Sequence, residues 1–138
     1  MIKAFIDSDV LLDFLLEREP FATDAAQILS MADLGRLYLF TTPIVLANCH
    51  YILRKYNSRK LIVQQLSRLM ALLEIANIDK DIVLEALNSS FSDFEDALQN
   101  YSAIRSNLKI IITRNIRDYK NSKAVVLLPS EFLSSLKV

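Results

Sequence analysis

Two hydrophobic periods alternate along the chain. Residues 2–6 form a short apolar run of strand length, and from Asp9 onward the apolar residues follow helical spacing. Four later runs also have strand composition, namely "RLYLFTT", "LLEIANI", "LKIIIT" and "AVVLL". Because several of these runs lack a polar face, the pattern predicts strands that are covered on both sides.

Capping residues and helix breakers predict where the helices lie. Asp9 can cap the first helix, Pro20 stands near the start of the second, and Gly35, the only glycine, follows its end. The later helices are predicted over residues 43–56, 58–72, 79–88 and 92–106, with a short terminal helix in "PSEFLSSL".

Strands that alternate with helices predict an α/β protein. We expect a three-layer α/β/α sandwich with a central, mostly parallel sheet of four or five strands. A chain of 138 residues can hide about 70% of its unfolded surface. With no internal repeat and no Pro/Gly/Ser linker, the sequence predicts one domain over residues 1–138.

Composition narrows the possible chemistry. Sixteen basic and sixteen acidic residues cancel, so net charge neither supports nor excludes a polyanionic partner. Cys49 is the single cysteine and His50 the single histidine, which leaves little material for a zinc cluster or a Ser/His/Asp triad. The lone cysteine and the lack of a run of about 20 apolar residues predict a cytoplasmic protein.

Polar residues follow two of the predicted strands where each ends. Asp7 ends the first strand, Thr113, Arg114 and Asn115 end "IIIT", and Asp118 lies three residues later. In open α/β sheets the functional crevice lies beyond the carboxyl ends of the strands. The two polar groups are therefore expected at one edge of the sheet.

A third acidic group lies on a predicted helix. In "SSFSDFEDALQNYSAI", Ser92 and Glu95 have the spacing of a capping box, while Asp93 and Asp96 lie together beside the apolar face. Capping or solvation explains most of these acids. A carboxylate at Asp7 or Asp96, set against apolar neighbours, needs a partner or a metal ion.

For Asp9 and Asp13 too, the structural interpretation is capping, complementation of the helix dipole or solvation. Several converging carboxylates suit Mg²⁺ or Mn²⁺, which prefer oxygen ligands. Two such ions about 4 Å apart can activate a water and hold the leaving oxygen of a phosphodiester. Hydrolysis then needs no covalent intermediate.

The segments "FIDSDVLLDFL", "DFEDALQ" and "IIITRNIRDYKNSKAVVLLPSEFL" resemble the PIN domain, and specifically the VapC-like proteins of bacterial toxin–antitoxin pairs. The resemblance covers nearly the whole chain. It implies a metal-dependent ribonuclease that hydrolyses RNA phosphodiester bonds with Mg²⁺ or Mn²⁺. It also implies a homodimer and inhibition by a small antitoxin protein that covers the pocket.

Site residues carry over from this resemblance by position. Asp7 matches the first aspartate of the family motif, and Asp96 matches the central aspartate of "DFEDAL". Asn48 stands where many members have a glutamate, and Asn115 where many have the aspartate of "TRD". An amide can ligate a metal but brings no negative charge, so we expect a lower metal affinity.

These positions have predicted roles. We expect Asp7 and Asp96 to bind the principal ion and to position the attacking water, with Asp118 as a further metal ligand. Asp118 and Asp93 are predicted to add charge or to hold a second ion through water. Asn48 and Asn115 are predicted to orient the ligands. We further expect Thr113 to hydrogen-bond Asp7 or a metal-bound water, and Arg114 to contact a phosphate.

Two other interpretations remain open. "FIDSDVLL" also satisfies the opening motif of the haloacid dehalogenase-like phosphatases, although a chain with one glycine and no room for a cap domain fits that superfamily poorly. The second alternative is a catalytically weak or silent PIN domain that binds RNA or a protein. The amides at Asn48 and Asn115 favour that alternative.

Overall fold

The structure, a computed structural model, describes residues 1–136 and contains one fully parallel sheet. Its five strands lie in the order β3-β2-β1-β4-β5, and each neighbouring pair is parallel. The strands are β1 (Ile2–Ile6), β2 (Leu37–Thr41), β3 (Leu73–Ile75), β4 (Ile110–Ile112) and β5 (Val125–Leu127). The predicted α/β/α class is confirmed.

Seven α-helices flank the sheet within residues 1–136, and a short 3₁₀ helix, Ile116–Tyr119, follows β4. The α-helices are α1 (Ser8–Leu15), α2 (Phe21–Asp33), α3 (Pro43–Leu53), α4 (Arg59–Met70), α5 (Lys80–Leu87), α6 (Phe94–Arg105) and α7 (Pro129–Ser135). All the predicted helices are present, whereas the 3₁₀ helix was not predicted. None of the helices in this described range has the length and apolar character needed to cross a bilayer.

Two helix caps differ from the prediction. Asp7, not Asp9, caps α1, since its Oδ1 accepts from the backbone N of Ser8 at 2.8 Å. The capping box of Ser92 with Glu95 is wrong, because Asp93 Oδ1 caps α6 by accepting from the backbone N of Asp96 at 2.9 Å. With Asp93 as its cap, α6 begins one residue later than the predicted Ser92 cap implies.

Apolar residues form one large core and one small cluster. Ala4, Phe5 and Ile6 of the central strand are completely buried, and burial of each large apolar side chain contributes roughly 1.5–3 kcal/mol. The small cluster packs α5 against α6 and consists of Ile82, Ala86, Ala97 and Leu98. It holds the first turn of α6, where Asp96 lies, against a neighbouring helix.

Strand β1 is the point where the topology reverses. The chain leaves β1 for β2 on one side and later returns to β4 on the other. The register pairs Phe5 with Ile111, and the backbone N of Asp7 donates to the carbonyl O of Ile112 at 3.0 Å. Asp7 and Thr113 therefore emerge side by side at the switch point of the sheet, where open α/β proteins bind ligands.

Candidate active site

Asp7 is the buried centre of the site. Its side chain is 4% exposed, and its Oδ2 accepts from Thr113 Oγ1 at 3.0 Å and from the Tyr119 hydroxyl at 3.1 Å. Burial raises the pKa of Asp7, and these hydrogen bonds partly offset the shift. The two donors fix the orientation of the carboxylate.

The Thr113 hydroxyl links two carboxylates. Its Oγ1 lies 3.0 Å from Asp7 Oδ2 and 3.3 Å from Asp9 Oδ2, and it accepts from the backbone N of Asn115 at 3.0 Å. Because a hydroxyl carries a single proton, it donates fully to only one of the two acids at a time. Thr113 therefore couples Asp7 to Asp9.

Asp9 belongs to the site, which sequence reasoning missed by taking it for a helix cap. Its Oδ2 accepts from the backbone N of Arg114 at 2.9 Å, while its Oδ1 is buried without a hydrogen-bond partner in residues 1–136. Burial, followed by the charge of Asp7, raises the pKa of Asp9 to about 6. An unpartnered carboxylate oxygen is a free donor for a cation.

Tyr119 is the second missed residue. Tyr119 is 1% exposed, and Phe91 packs edge to face on its ring, as in an ordinary core residue. Its hydroxyl nevertheless donates to Asp7. Burial raises the pKa of Tyr119 far above the neutral range, so the phenol keeps its proton and remains a donor.

Asp96 lies half-buried in the first turn of α6. Burial, followed by the charges of Asp7, Asp93 and Asp118, raises its pKa to about 7. The charge of Asp118, which is exposed on the 3₁₀ helix, also raises the pKa of Asp7. The structure therefore brings the predicted acids close enough for their charges to act on one another.

Asn48 contacts the site from α3. Its Nδ2 donates to Glu95 Oε2 at 2.8 Å, and the charge of Glu95 also raises the pKa of Asp96. Glu95 thus ties α3 to α6. Asn115 is exposed, and its backbone N supports the Thr113 hydroxyl.

Arg114 has a buried carboxylate as its partner within the chain, and the predicted phosphate contact stays a prediction. Its Nε and Nη2 donate to Oδ2 and Oδ1 of Asp13 at 2.5 and 3.0 Å, and its guanidinium stacks over the Phe21 ring at 4.0 Å from the centroid. The expectation that Asp13 is solvated is wrong, since Asp13 is completely buried. Two arginines make that burial possible, because Arg18 Nε also donates to Asp13 Oδ1 at 2.9 Å.

The donor set fits a hard divalent cation with few protein ligands. The site offers carboxylate and hydroxyl oxygens, the ligand type of Mg²⁺ and Mn²⁺. Across residues 1–136, no group of three or more His, Cys, Asp or Glu side chains is arranged to hold a metal ion. Mg²⁺ commonly binds through one or two carboxylates and retains several waters. Asp7 and Asp96 supply carboxylates of that type, and the charge of Asp7 acts on Asp96.

These observations define a parallel α/β domain with an acidic site at the switch point of its sheet. The family described as "PIN domain" matches residues 3–117. The chain belongs to the PIN domain family, and the predicted resemblance is confirmed. No curated relative matches the chain by sequence.

Solved structures share the fold. A toxin–antitoxin complex from Klebsiella pneumoniae is similar at 22% identity and a TM-score of 0.69, covering 91% of this chain and 97% of that one. VapBC2 from Rickettsia felis, bound to a promoter DNA fragment, is similar at 14% identity and a TM-score of 0.68. The match covers 92% of this chain and 98% of that one. VapC20 of Mycobacterium tuberculosis, described as a sarcin-ricin loop cleaving toxin, is similar at 14% identity and a TM-score of 0.63. The match covers 78% of this chain and 86% of that one.

Proposed function

We propose that the chain is a metal-dependent endoribonuclease that hydrolyses RNA phosphodiester bonds and acts as the toxin of a toxin–antitoxin pair. The observation that carries this proposal is electrostatic. Acids from the end of β1, from the start of α6 and from the 3₁₀ helix act together on Asp96, and with burial they raise its pKa to about 7. Packing alone gives no reason to concentrate such charge, and membership of the PIN domain family supports the same function.

Asp7 and Asp96 are the proposed ligands of the principal Mg²⁺ or Mn²⁺ ion, with Asp118 as a further ligand. When bound, the ion supplies an activated water and neutralises charge on the scissile phosphate. It would also offset the mutual repulsion of the acids, including that of the capping residue Asp93. Asp9 contributes an additional free oxygen at the same edge.

The other polar residues organise these ligands. Thr113 and Tyr119 hold the Asp7 carboxylate through its Oδ2, and such donors to a ligating carboxylate fix its orientation. Asn115 supports Thr113 through its backbone, and Asn48 restrains Glu95 beside Asp96. The proposed role of the two amides is to orient ligands.

The test is cleavage of a mixed RNA panel with Mg²⁺ or Mn²⁺. Asp7→Asn and Asp96→Asn should each lower the rate by roughly a hundredfold or more. Glu95→Gln is the matched control, because it removes a neighbouring charge on the same helix and retains an acceptor for Asn48. Equal cleavage by wild type and Asp96→Asn would show that the ligand assignment is wrong.

A second candidate is a PIN domain that binds RNA or a protein without cutting. It is favoured by the lack of a three-ligand metal group in residues 1–136 and by the uncharged amides of Asn48 and Asn115. Titration calorimetry with Mn²⁺ separates the two candidates. A nuclease gives binding heat that Asp7→Asn removes, and a silent domain gives none.

The proposed protein partner is an antitoxin polypeptide, as in the toxin–antitoxin complexes with the same fold. A groove of 920 Å³ lies between the first two helices and α4 and is lined mainly by apolar side chains, including Phe14, Leu15, Ala26, Leu69 and Leu72. Glu17, Glu19 and Arg68 at its rim add charge. The groove suits an amphipathic segment of the antitoxin. A homodimer remains a prediction from the resemblance.

A further inference from the structure

The ion pair between Asp13 and Arg114 joins α1 to the loop that follows β4. We propose that Asp13 is a positioning residue of the candidate active site, acting through Arg114 to hold the Thr113 hydroxyl against Asp7. The catalytic consequence rests on the proposed function, in which Asp7 binds the metal ion. The structural consequence can be measured without it.

The geometry of the pair is suited to positioning. Both oxygens of Asp13 accept from Arg114, at 2.5 and 3.0 Å, so the carboxylate and the guanidinium form a two-bond fork. A fork fixes the plane of the guanidinium, whereas a single contact would let it rotate. The Phe21 ring, 4.0 Å away, covers that plane from one side.

The backbone next to this fork carries the site residues. The backbone N of Arg114 donates to Asp9 Oδ2 at 2.9 Å, and the backbone N of Thr113 donates to the carbonyl O of Leu127 at 3.0 Å. Residues 113 and 114 are therefore fixed by the anchored Arg114 side chain and by the hydrogen bonds that their two backbone N–H groups donate. The Thr113 hydroxyl, which donates to Asp7, is one residue from the anchor.

Because Asp13 is buried, a positioning role explains its ion pair with Arg114 better than a contribution to stability does. Asp13 is completely buried, and removing a charge pair from water costs about as much as the pair returns. Apolar residues of similar volume would stabilise the same contact equally well. What an apolar contact cannot supply is a fixed direction for the loop.

The pair also changes the expected behaviour of Arg114. If Arg114 contacted a phosphate of the substrate, its replacement would raise KM, and replacement of Asp13 would leave kcat intact. In the positioning role both replacements lower kcat and leave KM nearly unchanged. The two roles therefore give opposite patterns.

Three variants test the proposal. Asp13→Asn removes the charge at nearly constant volume, and Arg114→Lys keeps a positive charge while losing the fork. Arg18→Gln is the matched control, since Arg18 also donates to Asp13 Oδ1 but has no bond to residues 113–115. Circular dichroism verifies folding, and Arg114→Lys carries the test if Asp13→Asn does not fold.

The first readout is the ¹³C shift of the Asp7 carboxyl carbon in the metal-free protein at fixed pH. This chemical shift should differ from wild type in Asp13→Asn and Arg114→Lys and should equal wild type in Arg18→Gln. The second readout is RNA cleavage, where kcat should fall roughly tenfold or more at nearly constant KM in the first two variants only.

An Asp7 signal that is unchanged in Asp13→Asn and Arg114→Lys overturns the positioning role, whether or not the protein cuts RNA. So does a rise in KM for Arg114→Lys with a wild-type kcat for Asp13→Asn. If the wild type cuts no RNA in any divalent cation, the proposed function fails, and the carboxyl signal still decides the structural part of the inference.

Discussion

Thr113 Oγ1 lies 3.0 Å from Asp7 Oδ2, although 106 positions separate the two residues in the chain. The parallel register of β1 and β4 brings them together, because each follows its strand at the same edge of the sheet. Tyr119 adds a second donor to the same oxygen at 3.1 Å. One buried carboxylate is thus held by residues from two later segments.

Removing the hydroxyl of Thr113 should lower catalytic activity without disrupting the fold. Thr113→Val leaves the shape of this fully buried side chain almost unchanged but takes one donor from Asp7. We expect Mn²⁺-dependent RNA cleavage to fall roughly tenfold to a hundredfold, the usual effect of losing a residue that orients a metal ligand. Steady-state kinetics at saturating Mn²⁺ measure the effect.

Thr113→Ser is the control for this substitution because it retains the hydroxyl and loses only a methyl group. Its cleavage rate should stay within about threefold of wild type, although the missing methyl costs roughly 1 kcal/mol of stability. If Thr113→Val cuts RNA as fast as Thr113→Ser, the hydroxyl does not matter for the reaction.

Asp96→Asn should stabilise the metal-free protein at alkaline pH. The pKa of Asp96 is about 7, raised from 3.8 by burial and by neighbouring acids, so the folded state favours the protonated form. The stabilising contribution of the protonated Asp96 carboxyl is complete below about pH 4 and is lost as pH rises through 7. The cap of α6 survives the substitution, because Asp93 bonds the backbone N of residue 96.

The size of this effect is limited because Asp96 is half-exposed and its charge is screened. We expect the free energy of unfolding of Asp96→Asn to exceed that of wild type by on the order of 1–2 kcal/mol at pH 8, with a smaller difference at pH 5. Urea unfolding with a chelator present measures it. A pH-independent difference would contradict the raised pKa.

Cleavage should increase with pH between about 6 and 8 when Mn²⁺ is limiting. Asp96 and Asp9, with pKa values of about 7 and 6, must lose their protons before their oxygens can bind a cation. Saturating Mn²⁺ should shift the rise to lower pH, because the ion competes with protons. A flat profile from pH 6 to 8 at limiting Mn²⁺ would exclude these acids as ligands.

A charge in the apolar groove should release the protein from antitoxin inhibition. Ala26 is half-buried and lines the groove, so Ala26→Arg places a guanidinium where we propose that the antitoxin packs. Cleavage without the partner should remain at the wild-type rate. The measurement is RNA cleavage by the chain alone and by the chain co-expressed with the proposed antitoxin polypeptide.

Ala26→Ser is the matched control, because it changes polarity at the same position with little change in volume. It should remain inhibited. If Ala26→Arg is inhibited as strongly as Ala26→Ser, the groove is not the docking surface.

The order of strands and helices could be predicted from the sequence because it depends on local signals. The apolar run before Asp7, the proline that begins α3 and the glycine that ends α2 each act within a few residues. Gly35 indeed has a φ of 72°, a conformation that glycine adopts most easily. The placement of Asp7 and Thr113 at the same edge of the sheet could be predicted because the strands they follow were expected to be parallel.

The environments of Asp9 and Asp13 could not be predicted in this way. Whether an acid on a short helix is solvated or buried depends on partners from elsewhere in the chain. For Asp13 the decisive partner is the Arg114 side chain, 101 positions away, and for Asp9 it is the backbone N of the same residue. Neither contact can be recognised in the local pattern of apolar and polar residues.

Tyr119 escaped prediction for a related reason. A buried tyrosine next to a loop has the sequence signature of a core residue, and most of its ring is packed as one. Only its hydroxyl takes part in the site. The signal available in the sequence was its position directly after Asp118, in a segment already predicted to contribute acids.

The first strand of this chain lies in the middle of the sheet, between β2 and β4. During synthesis it is made before the other four strands of the sheet, yet one of its edges stays unpaired until residues 110–112 have been added. Asp7 meets Thr113 and Tyr119 only then. A chain that stops before β4 therefore lacks the assembled acidic site.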